Sequence, residues 1–194
     1  MIVVDDWTGR AATLCDELVT AGKLTSPEWQ AAVLAVPRHE FVPEFYERGT
    51  EPMRPGAWEL VSASSPETRE RWWDRVWTNV SLVTQLGEVG RWGTQVVTGP
   101  SSSSAPSLMT RMLETLDIRD GHRVLEIGTG TGYNAALMSH RLGDQNVFSV
   151  DVDAGLVDSA RDRLVALGYR PTLAAVDGVA GLPAHAPYDR IIAT

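Results

Sequence analysis

The chain has 194 residues, of which 43% are apolar and 22% charged, a balance typical of globular proteins that speaks against disordered, fibrous and membrane-spanning classes. Its 25 Asp and Glu against 17 Lys and Arg give a net charge of −8, which argues against a partner built on phosphate, whether nucleic acid or anionic lipid. One cysteine, Cys15, excludes an internal disulfide and a Cys-cluster metal site; with an acidic N-terminus and no apolar run long enough to cross a bilayer, we expect a cytoplasmic protein with no membrane and no metal.

From Trp7 to Val36 the spacing predicts a helical pair. Leu14, Leu18 and Val19 share one face, Gly22 ends the first helix, and Ser26, Pro27 and Glu28 open the second, which stops before Pro37. Between Val36 and Gly99 periodicity is poor, and five of the seven tryptophans (Trp58, Trp72, Trp73, Trp77 and Trp92) gather there. We read this stretch as loop-rich with short elements, among them a short helix over Glu67 to Trp77. Its rings either staple a segment that lacks its own core or line a cleft for a peptide or a flat group.

After Gly99 the pattern changes. Ser101 to Ser104 reads as a loop, and Pro106 begins a helix with Leu108, Met109, Met112, Leu113 and Leu116 on its apolar face. Strands follow at Arg123 to Ile127, Asn146 to Val150, Thr172 to Val176 and Asp189 to Ala193. Helices at Tyr133 to Leu142 and Ala154 to Leu167 separate them, the second ended by Gly168. Strands spaced by helices of this length imply βαβ units and a parallel sheet. We therefore expect an α/β protein in two parts, a helical and loop-rich cap over residues 1–100 on the substrate side and a ligand-binding α/β part over residues 101–194.

The turn from Glu126 through Gly128, Thr129, Gly130, Thr131 and Gly132 lies where a strand hands over to a helix. Open α/β sheets bind nucleotide-like ligands at such a place. Glycines let the backbone turn and approach a ligand closely, and the N–H groups opening the next helix favour a negative group. A dinucleotide fingerprint requires G-x-G-x-x-G, and the third glycine falls on Tyr133 or Ala135. Asp151 ends the second strand, where an acid can accept from two ribose hydroxyls. Asp177 and Gly178 follow the third strand. Both aspartates can equally cap turns.

The G-x-G-x-G spacing behind an acid resembles the first motif of S-adenosylmethionine-dependent methyltransferases. Three stretches narrow the likeness. Val36-Pro-Arg-His-Glu-Phe-Val-Pro43, Ser103-Ser-Ala-Pro106 leading to Thr110-Arg-Met112, and Leu125 to Tyr133 resemble in order the V-P-R-x-x-F-V, I-S-x-P with A-R-M, and L-E-I-G-T-G-S-G-Y segments of protein-L-isoaspartate O-methyltransferases. The likeness runs from about Val36 to the end of the chain, through Asp177, Gly178 and the Ala186 to Ile192 stretch. It implies a Rossmann-like class I methyltransferase sheet, incomplete at the C-terminus, behind a helical and Trp-rich extension. It also implies S-adenosyl-L-methionine as cofactor, held by Glu126, Gly128, Thr129, Gly130, Gly132, Asp151, Asp177 and Gly178. Glu126 would lie near the methionyl ammonium, Asp151 on the ribose and Asp177 near the adenine amino group, and Ser104 takes the place of the active-site hydroxyl.

Methyl transfer from a sulfonium needs no strong base, because a carboxylate with an ordinary pKa of about 4 is already an ionised nucleophile at neutral pH. The site has to supply alignment and exclusion of water, which a short hydroxyl such as Ser104 can provide by holding one carboxylate oxygen. Ser104 can also cap the helix that follows it. The four histidines, His39, His122, His140 and His185, are scattered, as befits a site without a nucleophile–base pair.

The approach to Ser104, Gly93-Thr-Gln-Val-Val-Thr-Gly-Pro-Ser-Ser-Ser-Ser104, is longer and richer in serine than the family's G-x-G-Q-T-I-S. That departure and the Trp-rich stretch resemble a branch of isoaspartate-methyltransferase homologues found with ATP-grasp and lanthipeptide maturation systems, which esterify aspartates of ribosomal precursor peptides. The expected partner is a peptide or protein bearing aspartate or isoaspartate. The fourth strand should leave an apolar edge, to be covered by a missing C-terminal half or by a second copy. The alternatives are a non-catalytic cofactor- or peptide-binding fragment, and a methyltransferase for nucleic acid or small molecules.

Overall fold

The computed structural model describes residues 6–49, 57–91 and 94–194. Helix α1 (Trp7–Thr20) starts where the Asp6 side chain accepts from Gly9 N, and it buries Ala11, Leu14, Cys15 and Leu18 at helical spacing while Val19 turns outward, 40% exposed. Gly22, at φ +65°, follows its end. Helix α2 (Pro27–Ala35) has proline in its first turn and ends before Pro37, as the sequence predicts. The carboxylate of Glu114, 88 residues further on, accepts from Thr25 N and Ser26 N at 2.7 Å each and from the Ser26 hydroxyl, so the Ser26 side chain is held there and does not cap the helix.

The stretch expected to be loop-rich is a sheet. After a one-turn helix α3 (Arg38–Phe41) come β1 (Glu44–Arg48), β2 (Trp58–Ser62), helix α4 (Arg69–Val76), β3 (Leu82–Arg91) and β4 (Thr94–Ser103). The four strands pair antiparallel in the order β2-β1-β3-β4. They escape a periodicity reading for physical reasons. β1 buries only Phe45 between charged and half-buried neighbours, and the β3–β4 ladder shifts register between Val83 and Gln85 and again between Gln85 and Gly87, which breaks the period of two. Ser101 to Ser103, expected in a loop, form the end of β4, and only Ser104 leaves the ladder.

The second half follows the expectation closely. Helix α5 (Pro106–Thr115) buries Met109, Thr110 and Leu113, with Leu108 pointing outward at 51% exposure. Strands β5 (Val124–Ile127), β6 (Val147–Asp151), β7 (Thr172–Ala175) and β8 (Arg190–Ala193) form a parallel sheet in the order β7-β6-β5-β8, separated by helices α6 (Tyr133–Leu142) and α7 (Ala154–Ala166). The pleat sends Val124, Val147 and Ile192 into the main core, and Leu125, Phe148 and Val150 into a smaller one on the other face. The main core also takes Leu14 and Leu18 of α1 and Trp29 of α2, so residues on both sides of position 100 share one interior.

Four tryptophans act as staples. Trp7, Trp72, Trp73 and Trp77 close around His39 with ring centroids 5.2–6.4 Å from its imidazole, and Trp72 Nε1 donates to Val42 O at 2.7 Å. Trp58 lies under the Arg48 guanidinium at 4.2 Å, and Trp92 falls outside the described residues. Among the described residues no helix is long and apolar enough to cross a membrane.

Candidate active site

A cavity of about 270 Å³ opens where the two sheets meet, at the C-terminal ends of β5 and β6. One wall is Pro100 to Ser104, with Met109 of α5 beside it. The other is formed by Glu126, the turn from Gly128 to Thr131, Tyr133 and Asn134 at the start of α6, Asp151, Leu156 and Thr194. No tryptophan lines it among the described residues, so the described rings belong to the fold and not to this cleft.

Glycine is required at the turn for two separate reasons. Gly128 has φ +102°, and a Cβ there would stand 2.4 Å from Thr194 O, so backbone packing forbids a side chain. Gly130 has φ +51° and nothing within 4 Å of a Cβ position, so its bare α-carbon faces open space. Gly132 serves differently: its missing side chain leaves room for Ala160 of α7, whose Cβ would be 3.0 Å away, and it is not part of the cavity wall.

Glu126 is completely buried and receives one donor on each carboxylate oxygen. Asn134 Nδ2 donates to its Oε1 at 2.7 Å and Ser149 Oγ to its Oε2 at 2.5 Å, while the Thr129 hydroxyl bonds Ser149 Oγ at 2.7 Å. The register Glu126↔Ser149 across β5 and β6 puts both side chains on one face, which makes the contact possible. Burial pushes the Glu126 carboxyl up to about 7; the bonds from Ser149 and Asn134 oppose that rise and the nearby Asp151 charge adds to it.

Asp151 ends β6 beside the turn. Its Oδ2 accepts from Gly130 N at 3.0 Å and its Oδ1 from Asp153 N at 3.1 Å, so it braces the backbone while lining the cavity. Each oxygen keeps acceptor capacity for a ligand hydroxyl.

Ser104 lines the opposite wall and does not cap α5. Ala105 is the N-cap residue, and the exposed N–H groups are satisfied from elsewhere: Ser107 N donates to Asn79 Oδ1 at 2.9 Å and Ala105 N to Ser81 Oγ at 3.1 Å. Asp177 and Gly178 are not brought to the cavity. Asp177 Oδ1 accepts from Val179 N at 2.9 Å and caps a single 3₁₀ turn, and a Cβ on Gly178 would strike Ile127 Cγ2 at 2.4 Å. The expected set thus divides: Ser104, Glu126, Gly128, Thr129, Gly130 and Asp151 converge on one cavity, whereas Gly132, Asp177 and Gly178 stand outside its wall.

Asn134 and Ser149, which fix Glu126, were not anticipated from the sequence. Ser149 had a legible signal, a lone polar residue inside the apolar run Val147 to Val150. Asn134 had none.

Known proteins resemble this chain in sequence and in fold. The profile of the family described as "Protein-L-isoaspartate(D-aspartate) O-methyltransferase" matches residues 69–194. A protein-L-isoaspartate O-methyltransferase of Methanopyrus kandleri is 33% identical over 184 residues, covering 93% of this chain and 64% of that protein. One of Methanosarcina mazei is 33% identical over 165 residues, covering 84% and 52%. A solved protein-L-isoaspartate O-methyltransferase superposes with a TM-score of 0.67 at 29% identity, over 95% of this chain and 47% of that one. A solved Plasmodium falciparum protein, titled a putative protein-L-isoaspartate O-methyltransferase in complex with S-adenosyl-L-homocysteine, shares the fold with a TM-score of 0.57 at 14% identity, over 93% and 71%. The chain spans about half the length of the curated relatives it matches, between 44% and 64% for the first four. On the extent of the profile match and the identity with these relatives, the chain belongs to the protein-L-isoaspartate(D-aspartate) O-methyltransferase family.

Proposed function

We propose that this chain carries the S-adenosylmethionine site of a carboxyl O-methyltransferase acting on aspartate or isoaspartate side chains in a peptide or protein. One observation carries the reading: among the described residues the cavity presents two acids, Glu126 and Asp151, and no basic side chain. Beside these two acids a pyrophosphate would be repelled, whereas a cofactor bearing an ammonium and a sulfonium is attracted. The open space over Gly130 leaves room for the ligand against the backbone.

Gly128, Thr129 and Gly130 would hold the cofactor's backbone-facing side, Glu126 its ammonium end and Asp151 its ribose hydroxyls. When bound, S-adenosylmethionine supplies an electrophilic methyl group. The protein has no proton to remove from an ionised acceptor carboxylate, so its own task is placement. Ser104, on the wall facing Asp151 and the glycine turn, would donate its hydroxyl to one carboxylate oxygen and leave the other free to react.

The names of the relatives support this activity, and the serine-rich approach to Ser104 supports the finer reading, an aspartate in a ribosomal precursor peptide of the ATP-grasp or lanthipeptide type. The acceptor would approach over the part formed by residues 1–100. The buried free Cys15 suits a cytoplasmic setting. The outer edge of β8, with Ile191 57% exposed, would pair with a further strand or a second copy. Incubation with methyl-labelled S-adenosylmethionine and matched isoaspartyl, aspartyl and asparaginyl peptides tests the function. Base-labile label on a carboxyl peptide alone is expected; cofactor binding with no transfer to any peptide would reduce the chain to a binding module.

A further inference from the structure

Arg38 is fully buried and its guanidinium meets no carboxylate among the described residues. It donates instead to neutral oxygens: Val76 O and Thr78 O at 3.0 Å, Val80 O at 3.3 Å and Ser104 O at 3.4 Å, with Ser103 Oγ 3.5 Å from Nη2. A buried cation normally draws a buried anion, because carbonyls satisfy its hydrogen bonds but leave its charge uncompensated. Burial lowers this guanidinium to about 10, so it remains charged at neutral pH. Its free charge lies directly behind the Ser103–Ser104 wall of the cavity, with the Tyr133 ring at 5.9 Å on one side.

Ser103 is buried, lines the cavity, and has its oxygen turned to Arg38, so its hydroxyl hydrogen is directed away from that cation. No acceptor takes that hydrogen among the described residues. The cavity's acids come from β5 and β6, whereas Ser103 and Ser104 come from the end of β4 with Arg38 behind them, so different elements supply its negative and its positive charge.

We propose that Ser103, backed by the buried Arg38, is a second carboxylate-holding hydroxyl next to Ser104, and that Arg38 is the positioning residue giving this wall its preference for an anionic acceptor over a neutral one. The inference rests on the proposed carboxyl methyltransferase reading. It adds that the acceptor is chosen by its charge at the Ser103 corner: two adjacent hydroxyls hold one carboxylate, and Arg38 fixes the backbone that presents them.

The test is calorimetry with S-adenosylhomocysteine present, comparing an aspartyl or isoaspartyl hexapeptide with its asparaginyl counterpart. Wild type is expected to prefer the carboxyl peptide by tenfold or more. Ser103→Ala should cut that preference severalfold while leaving the S-adenosylhomocysteine Kd within twofold, and Arg38→Met should abolish it. Arg38→Lys, which keeps the charge and loses the fork, should retain part of it. If Arg38→Met does not fold, Ser103→Ala and Arg38→Lys decide. A carboxyl preference unchanged in Ser103→Ala, with methyl transfer intact in wild type, overturns this inference alone. No carboxyl preference in wild type overturns it together with the proposed function.

Discussion

Ser149 stands opposite Glu126 on the neighbouring parallel strand and donates its hydroxyl to Glu126 Oε2 at 2.5 Å. This pair, closed by Thr129 on one side and Asn134 on the other, holds an acid in the interior next to the glycine turn. A fully buried acid has a thermodynamic consequence that can be measured without any ligand.

The Glu126 carboxyl lies at about 7 in the folded chain, above its ordinary value of 4.5, with burial as the main cause. Its contribution to stability is therefore fully present below about pH 4.5 and is lost as pH rises through 7; the difference is on the order of 3 kcal/mol. Glu126→Gln removes the ionisation and keeps the shape. Denaturant unfolding at pH 5 and pH 8 should show the variant gaining on wild type at the higher pH. Parallel pH profiles for the two proteins would show that Glu126 is not held in this environment.

Gly128 and Gly130 should separate folding from binding. Gly128→Ala places a methyl group against Thr194 O and should lower Tm by several degrees. Gly130→Ala meets only open space, so the backbone conformation alone costs about 1–2 kcal/mol while the methyl group intrudes on the ligand. Thermal melts and S-adenosylhomocysteine titration of both variants check this. The idea fails if Gly130→Ala binds as well as wild type.

Ser104 is not the cap of α5, because Asn79 and Ser81 satisfy the Ser107 and Ala105 amides. Ser104→Ala should therefore leave Tm unchanged and lower kcat on a carboxyl peptide more than it weakens cofactor binding. Equal rates for variant and wild type would remove Ser104 from the chemistry.

Trp72 couples the aromatic cluster to the backbone by donating to Val42 O at 2.7 Å from a buried position. Trp72→Phe keeps most of the ring and orphans that carbonyl, which should cost about 1–3 kcal/mol of stability without altering ligand affinity. Urea unfolding and calorimetry separate the two effects; an unchanged unfolding midpoint would contradict the stapling role.

The parallel half of the fold was legible in the sequence because its two central strands, β5 and β6, are almost wholly buried apolar runs and its helices carry stop residues, as at Gly168. The antiparallel half was not. In β3 the period of two is interrupted by shifted register, and β4 ends in serines that mimic a loop. At the site, glycine spacing and strand-end acids marked Gly128, Gly130, Glu126 and Asp151. Gly132 and Gly178 carry the same letter for packing reasons, against Ala160 and Ile127. Arg38 lies 65 and 66 residues from the serines it holds, and no local pattern reveals a contact of that range.

The proposed function depends on the ligand of the glycine turn. Isothermal titration of the purified chain with S-adenosylhomocysteine and with NAD, repeated on Asp151→Ala, tests it most directly. We expect saturable binding of the first and none of the second, with the substitution weakening affinity by about 1–3 kcal/mol through lost hydrogen bonds to a charged group. Binding of NAD in its place, or an S-adenosylhomocysteine affinity indifferent to Asp151, would contradict it.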